Sequence, residues 1–206
     1  MWLSQFYLGR PGYELLFDLN PNQVQITKTQ VASVKRVLSG RLIKRIFRTE
    51  FPTIALSGTF FTYAQADQMA SLLNITDTLL SFRVRDDMTM FGEQNFPANG
   101  GTTVTLQENS ATLLSAALVA AGAAASVAIV GVYDNPGLTG INYYTQGSYD
   151  SATRTVTLGT PLPTSGACYI TYTYTGWLVS MSEMAATAQG GWVDVMPYSG
   201  WNLIGA

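Results

Sequence analysis

Apolar and polar residues alternate along much of the chain, and this period of two is typical of β-strands that bury one face. The clearest case in the first hundred residues is segment 53–62, where Ile54, Leu56, Gly58 and Phe60 fall on one face. An Asn-Pro-Asn sequence predicts a turn between the first two strands. The strands predicted in this part of the chain are 13–19, 24–28, 53–62 and 79–85.

Residues 63–75 have a different period. Ala66, Met69, Ala70 and Leu73 lie three or four residues apart, which is the spacing of an amphipathic helix. The order strand, helix, strand closes one structural unit.

Residues 31–48 allow two interpretations. Their apolar positions fit a helical stripe, and a basic amphipathic helix would favour a membrane-surface or nucleic-acid binder. However, Ser39-Gly40 lies in the middle of the segment, and Val, Ile and Phe crowd both halves. We therefore interpret the segment as a hairpin that turns at Ser39-Gly40.

From about residue 100 the composition changes to Thr, Ala, Gly and Tyr with almost no charge. Residues 103–107 predict a strand, and residues 148–158 predict a hairpin that turns at 150–153. A further strand alternates strictly, with Ile170, Tyr172 and Tyr174 on one face. These strands predict a small sandwich-like module.

The 22 uncharged residues 111–132 resemble a membrane span in length. Nine of them are alanine, acidic residues flank the segment, and no Lys or Arg anchors either side. We therefore favour a short buried helix over residues 111–124 that runs into a strand at 127–133.

After residue 176 the pattern again predicts strands, at 177–184 and 191–196, separated by a loop at 185–190. The predicted fold class is mainly β: a small β-barrel or sandwich with one packed α-helix, carrying an inserted small β-rich module. The first domain would be discontinuous, 1–98 plus 176–206, with the insert at 99–175.

The charge is unevenly distributed along the chain. Residues 1–85 hold ten Lys/Arg and five Asp/Glu, a net of +5, whereas residues 86–206 hold one and eight, a net of −7. Most of the basic residues lie in segment 28–48. Opposite charges on two parts of one chain favour head-to-tail contact between copies, although a solvated basic hairpin explains the charge equally well. The candidate interface residues are Lys35, Arg36, Arg41, Lys44, Arg45 and Arg48.

Several kinds of chemistry are missing from the sequence. It contains no histidine, which excludes nucleophiles activated by imidazole and imidazole metal ligands. It contains one cysteine, Cys168, which is too few for a zinc site made of thiolates. We predict that Cys168 is a small buried apolar group. Asp86-Asp87 is most simply an acidic turn, and the Asp134-Asn135 sequence a turn rather than a calcium loop. We therefore expect no enzyme activity, no catalytic or metal site and no cofactor.

Some aromatic residues are candidates for stacking on bases or sugars, although core and interface positions are the commoner use. A carbohydrate-binding module in residues 100–176 is accordingly a second hypothesis, and a membrane-associated protein a third. The aromatic candidates are Phe96, Tyr143, Tyr144, Trp192 and Trp201.

Residues 17–60 resemble the first domain of distal tail proteins of long-tailed, siphovirus-like bacteriophages, whose fold is shared with tail-tube proteins. Residues 131–176 are similar to the small β-modules of many phage structural proteins. The usual distal tail arrangement has a larger second domain after the barrel, whereas the extra module here is inserted.

This resemblance implies a homo-hexameric ring around a channel for DNA, located in the virion tail and assembled in the host cytoplasm. It implies that segment 31–48 serves contacts between subunits or rings, and that helix 63–75 packs on the barrel. The implied partners are the tail tube, tail tip hub and tape measure proteins, with DNA passing without sequence-specific binding and without a membrane span. A major tail tube protein of stacked hexameric rings is the alternative within the same fold.

Overall fold

A computed structural model describes most of the chain. The described residues are 6–17, 19–27, 30–36, 42–49, 52–60, 62–75, 77–97, 101–107, 110–163, 167–186 and 196–205.

Thirteen strands and two α-helices occur in the described residues. The strands are β1 (Phe6–Arg10), β2 (Tyr13–Leu16), β3 (Gln23–Thr27), β4 (Gln30–Arg36), β5 (Leu42–Thr49), β6 (Thr53–Phe60), β7 (Leu80–Asn95), β8 (Thr103–Thr105), β9 (Val127–Tyr133), β10 (Ser148–Asp150), β11 (Thr155–Thr157), β12 (Cys168–Ala186) and β13 (Met196–Gly205). The helices are α1 (Tyr63–Ser71), followed by a 3₁₀ turn at Leu72–Asn74, and α2 (Ser110–Ala120).

An eight-stranded antiparallel sheet forms the centre of the fold. Its hydrogen-bonded order is β2-β1-β7-β12-β13-β6-β3, and β9 pairs with β12 in addition. Strands β8, β11 and β10 make a separate three-stranded sheet, and β4 pairs with β5 in a two-stranded sheet. The prediction of a mainly β fold with a packed helix is therefore confirmed.

Strand β12 is the central strand of the large sheet. Along one edge it pairs with β7, from Cys168 to Val179. Along its other edge it pairs first with β9 and then with β13. The predicted domain boundary at 175/176 lies inside this strand, and the division into two domains stays a prediction.

Neighbouring residues of β12 point to opposite faces of the sheet, as a strand requires. Trp177 is 2% exposed and belongs to the main core, where its ring stacks on Phe82 with centroids 6.0 Å apart. Leu178 instead packs with Leu114 and Leu118 of α2 in a second apolar cluster. The sequence predicted α2 and β9 closely, but it did not predict that α2 covers part of the large sheet.

Helix α1 begins at a capped N-terminus and ends in a tighter turn. The Thr62 hydroxyl accepts a hydrogen bond from the Gln65 N–H at 3.2 Å, which satisfies one of the unpaired donors of the first turn. Ala66, Met69 and Leu72 are buried. The predicted burial of Leu73 is wrong, because the 3₁₀ turn has three residues per turn and therefore places Leu72 in line with Met69.

Several turns were predicted correctly and one was not. Strands β10 and β11 form the predicted hairpin, with Ser148 opposite Thr157. The predicted acidic turn at Asp86-Asp87 is wrong, because β7 continues through both residues to Asn95. The pairing of β12 with β7 moves from Tyr174 opposite Met88 to Gly176 opposite Arg83, so the two aspartates lie in a bulge. Most of the predicted strand 191–196 lies outside the described residues.

Candidate assembly surfaces

The basic segment forms a hairpin that is separate from the main sheet. Strands β4 and β5 pair antiparallel with Gln30 opposite Thr49 and Arg36 opposite Leu42, so the hairpin interpretation is confirmed and the helical one is wrong. The predicted turn at Ser39-Gly40 lies outside the described residues. Among the described strands, β4 and β5 pair only with each other. A two-stranded ribbon is marginally stable on its own in water, so this hairpin would gain from packing against another surface.

The structure brings most of the predicted interface residues onto this ribbon. Lys35 and Arg36 are exposed in β4. In β5 the backbone register places Lys44 opposite Val34, Arg45 opposite Ser33 and Arg48 opposite Val31. Arg41 lies outside the described residues. The four positions 35, 36, 44 and 45 thus lie within the four residue pairs nearest the turn end of the ribbon, and Arg48 is further along it.

The large sheet has an open edge at β3, the strand that precedes the hairpin in the sequence. Strand β3 pairs only with β6 among the described strands, and its sequence Gln-Val-Gln-Ile-Thr carries neither a charge nor a proline. Natural sheets usually protect such edges with charges, prolines or bulges. An edge without these features can add a strand from another chain.

The opposite end of the sheet is better protected. Strand β2 has four residues, and the carbonyl of Leu16 accepts a hydrogen bond from Gln65 Nε2 at 2.6 Å. Glu14 faces inward, where its Oε1 accepts hydrogen bonds from Ser81 Oγ at 2.8 Å and from Arg83 Nη1 at 3.3 Å. We therefore take β3 as the edge that is available for pairing.

A third surface was missed by the sequence analysis and lies on strands β7, β12 and β9, on the side away from the main core. On β7, Met88 and Met90 pack against the main core, whereas Asp87, Thr89 and Phe91 alternate with them and are exposed. Phe91 is 73% exposed.

Irregular pairing exposes a second apolar residue on this face. The register of β12 shifts on both edges beside Thr171, which places Phe91 and Gly92 in a bulge of β7 and Val130 in a bulge of β9. The Gly92 N–H donates to the Thr171 hydroxyl at 3.3 Å, so the bulge of β7 is tied to β12. Val130 is 54% exposed.

The loop after β9 crosses this face. Strands β9 and β7 flank β12 on opposite sides, yet the side chain of Leu138 in this loop reaches Gly92 of β7. A Cβ atom at position 92 would lie 3.5 Å from Leu138 Cδ2. The same loop carries Ile141, which is 61% exposed, and Asp134. We call the set Asp87, Thr89, Phe91, Val130, Asp134 and Ile141 the outer face.

Hydrogen bonds hold this loop and its charge in place. Asn135 Nδ2 donates to Asp134 Oδ1 at 3.0 Å and to the Thr139 carbonyl at 2.7 Å, which confirms the predicted turn. The Tyr143 hydroxyl donates to Asp134 Oδ2 at 3.1 Å. The hydrogen bonds from the side chains of Asn135 and Tyr143 lower the pKa of Asp134 and keep it negatively charged, and the bond from Asn135 has the larger effect.

The remaining sequence candidates do not form a site together. Tyr143 is buried at 7% exposure, whereas Phe96 is 75% exposed. Trp192 and the side chain of Trp201 lie outside what is described. Cys168 is fully buried, as predicted. Within the described ranges, no three His, Cys, Asp or Glu side chains cluster in a way that could hold a metal ion.

The apolar segment 111–132 divides into helix α2 and strand β9, as expected from its sequence. None of the helices in the described parts of the chain has the length and apolar character needed to span a bilayer. Comparisons with family models, curated proteins and solved structures found no match.

Proposed function

We propose that this chain is a structural component of a bacteriophage tail that forms a hexameric ring around the DNA channel, at the distal end of the tail tube. A major tail tube protein, which stacks such rings, is the alternative role for the same surfaces. The chain would work by associating with copies of itself and with neighbouring tail proteins, in the virion tail and in the host cytoplasm during assembly.

The observation that carries the proposal is the combination, in the described part of the chain, of an unprotected edge strand and a ribbon whose two strands pair only with each other. Strand β3 offers an uncharged edge, and the two-stranded hairpin β4–β5 begins only three residues after it. Both features are hazards for a protein that stays single, because they invite uncontrolled pairing. In a closed ring the edge strand and the ribbon of each copy are covered by the neighbouring copy, so the same features become a specific interface.

The charge of the hairpin indicates where it would lie in such a ring. Lys35 and Arg36 are exposed, and Lys44, Arg45 and Arg48 occupy the partner strand. A channel lined by many cations would bind DNA phosphates and slow the passage of DNA. We therefore place the hairpin at contacts between protein subunits rather than on the channel wall.

Light scattering after size exclusion, combined with negative-stain electron microscopy of the purified chain, tests this proposal. We expect closed rings with a central opening, or stacks of rings, and an assembled fraction that rises with protein concentration. A chain that remains a monomer at every concentration, and that forms no particle on addition of other tail proteins, would refute the proposal.

The exposed rings of Phe91 and Phe96 favour one other function, carbohydrate binding, because exposed aromatic faces can stack on sugars. Binding of the full chain to a glycan array, lost in Phe91→Ser and Phe96→Ser variants, would support it. If the chain forms rings but binds no glycan, only the structural function is supported.

A further inference from the structure

We infer that the outer face receives the β4–β5 hairpin of a second copy of this chain. The inference rests on the proposed function, since it names the surface to which the basic hairpin would bind during self-association. It follows from the charges and the apolar side chains that these two surfaces expose.

The two surfaces have complementary charges. Lys35 and Arg36 are exposed on the hairpin, and Asp87 and Asp134 are exposed on the outer face. Not every acidic residue in this part of the chain is available in this way. Glu93 is only partly exposed, and its carboxylate accepts hydrogen bonds from the Tyr172 hydroxyl at 2.8 Å and from the Gln107 N–H at 2.9 Å.

The apolar side chains also match. Phe91, Val130 and Ile141 are all more than half exposed on the outer face, and β-strand spacing puts β7 and β9 about 10 Å apart across β12. On the hairpin, Val34 is 60% exposed, and strand alternation places it on the same face as Arg36. An apolar contact surrounded by opposite charges is the usual arrangement of a specific protein interface.

The hairpin and the outer face are two different surfaces of the same chain. When the hairpin of each copy binds the outer face of the next copy, the contact is heterologous and generates a ring if the rotation closes. The same pair of surfaces can also meet reciprocally in a two-fold dimer, so the number of copies per particle, measured by light scattering, distinguishes a ring from a dimer. A closed ring would then use each hairpin once and each outer face once.

Cysteine cross-linking tests which surfaces meet. A Val34→Cys chain is mixed with a tagged Phe91→Cys chain and oxidised mildly, and Cys168 does not interfere because it is fully buried. We expect a disulfide-linked heterodimer. The matched control pairs Val34→Cys with Phe96→Cys, whose side chain is equally exposed near the end of the same strand, and should yield about tenfold less.

Charge reversal gives a second measurement that does not depend on disulfide geometry. Lys35→Glu with Arg36→Glu should weaken self-association on the order of tenfold, because attraction becomes repulsion. Adding Asp87→Lys to the same chain should restore association. Adding Asp67→Lys instead, at an exposed position of α1, should not restore it.

The outcomes separate the two proposals. If rings form but the Val34–Phe91 pair fails to cross-link and Asp87→Lys fails to restore association, the hairpin binds elsewhere and this inference is overturned, while the proposed function stands. If the parent chain does not associate at all, both are overturned. Cross-linking together with specific restoration would support the outer face as the binding site of the hairpin.

Discussion

The hydroxyl of Tyr172 donates a hydrogen bond to Glu93 Oε2 at 2.8 Å. Tyr172 is fully buried in the first half of β12, and Glu93 lies on the neighbouring strand β7. The other carboxylate oxygen, Oε1, accepts from the Gln107 N–H, which follows strand β8. One carboxylate therefore connects the large sheet to the chain segment that follows β8 of the three-stranded sheet.

Tyr172→Phe tests the strength of this connection. The substitution keeps the ring but leaves a partly buried carboxylate without one donor, so we expect the free energy of unfolding to fall by about 1–3 kcal/mol. Urea denaturation monitored by circular dichroism measures it. Tyr169→Phe is the matched control on the same strand, because its hydroxyl makes only a long, exposed contact of 3.5 Å with Gln94 Nε2. Equal losses in the two variants would contradict this account.

Leu114→Ala tests the packing of α2 on the large sheet. Leu114 is fully buried against Leu118 and Leu178, so the cavity and the lost apolar burial should lower the free energy of unfolding by about 2–5 kcal/mol. Val119→Ala on the exposed side of the same helix should change it by less than about 0.5 kcal/mol. A small effect of Leu114→Ala would mean that α2 does not depend on this contact.

The reactivity of Cys168 reports the integrity of the sheet. Burial raises the pKa of its thiol to about 11, so at pH 8 the thiol is protonated and also shielded. A raised pKa means that the thiolate, and with it the reactivity, should increase only as the pH approaches that value. We expect negligible reaction with a thiol reagent at pH 8 and complete reaction after unfolding in denaturant. Rapid labelling of the folded chain at pH 8 would contradict the burial of Cys168.

Reversal of the basic charges tests the role of the hairpin. Arg41, Lys44 and Arg45 changed together to Glu should leave the monomer folded, because the charges of an interface contribute more to its register than to the fold. Assembly measured by light scattering should be impaired. Arg10→Glu serves as a control, since Arg10 is an exposed arginine of the main sheet that pairs with Asp77 at 3.4 Å. A triple variant that assembles like the parent would exclude the hairpin from the interface.

Local patterns in the sequence predicted the elements that local forces determine. The alternation at 155–157, the turn at Asn135 and the division of segment 111–132 into helix and strand all follow from composition and spacing within a few residues. The hairpin at 31–48 was also identified, because Ser39-Gly40 and the β-branched residues argue against the helical stripe.

The remaining features depend on pairing between distant segments. The residues around Asp86-Asp87 do not show that one strand continues through both aspartates, since this continuity is held by pairing with β12 some eighty residues later. The outer face was missed for the same reason. Alternation from Asp87 to Phe91 was a usable signal for its β7 half, but the bulge that exposes Val130 is set by the register between β9 and β12.

The length of β12 has a mechanical consequence. This strand is nineteen residues long. It pairs with β7 along one edge, and along the other edge it pairs first with β9 and then with β13. A load applied along this strand would be resisted by many backbone hydrogen bonds sheared together, instead of being opened one after another. In an assembly that must withstand tension along its axis, such a strand would transmit force from one end of the subunit to the other without a hinge.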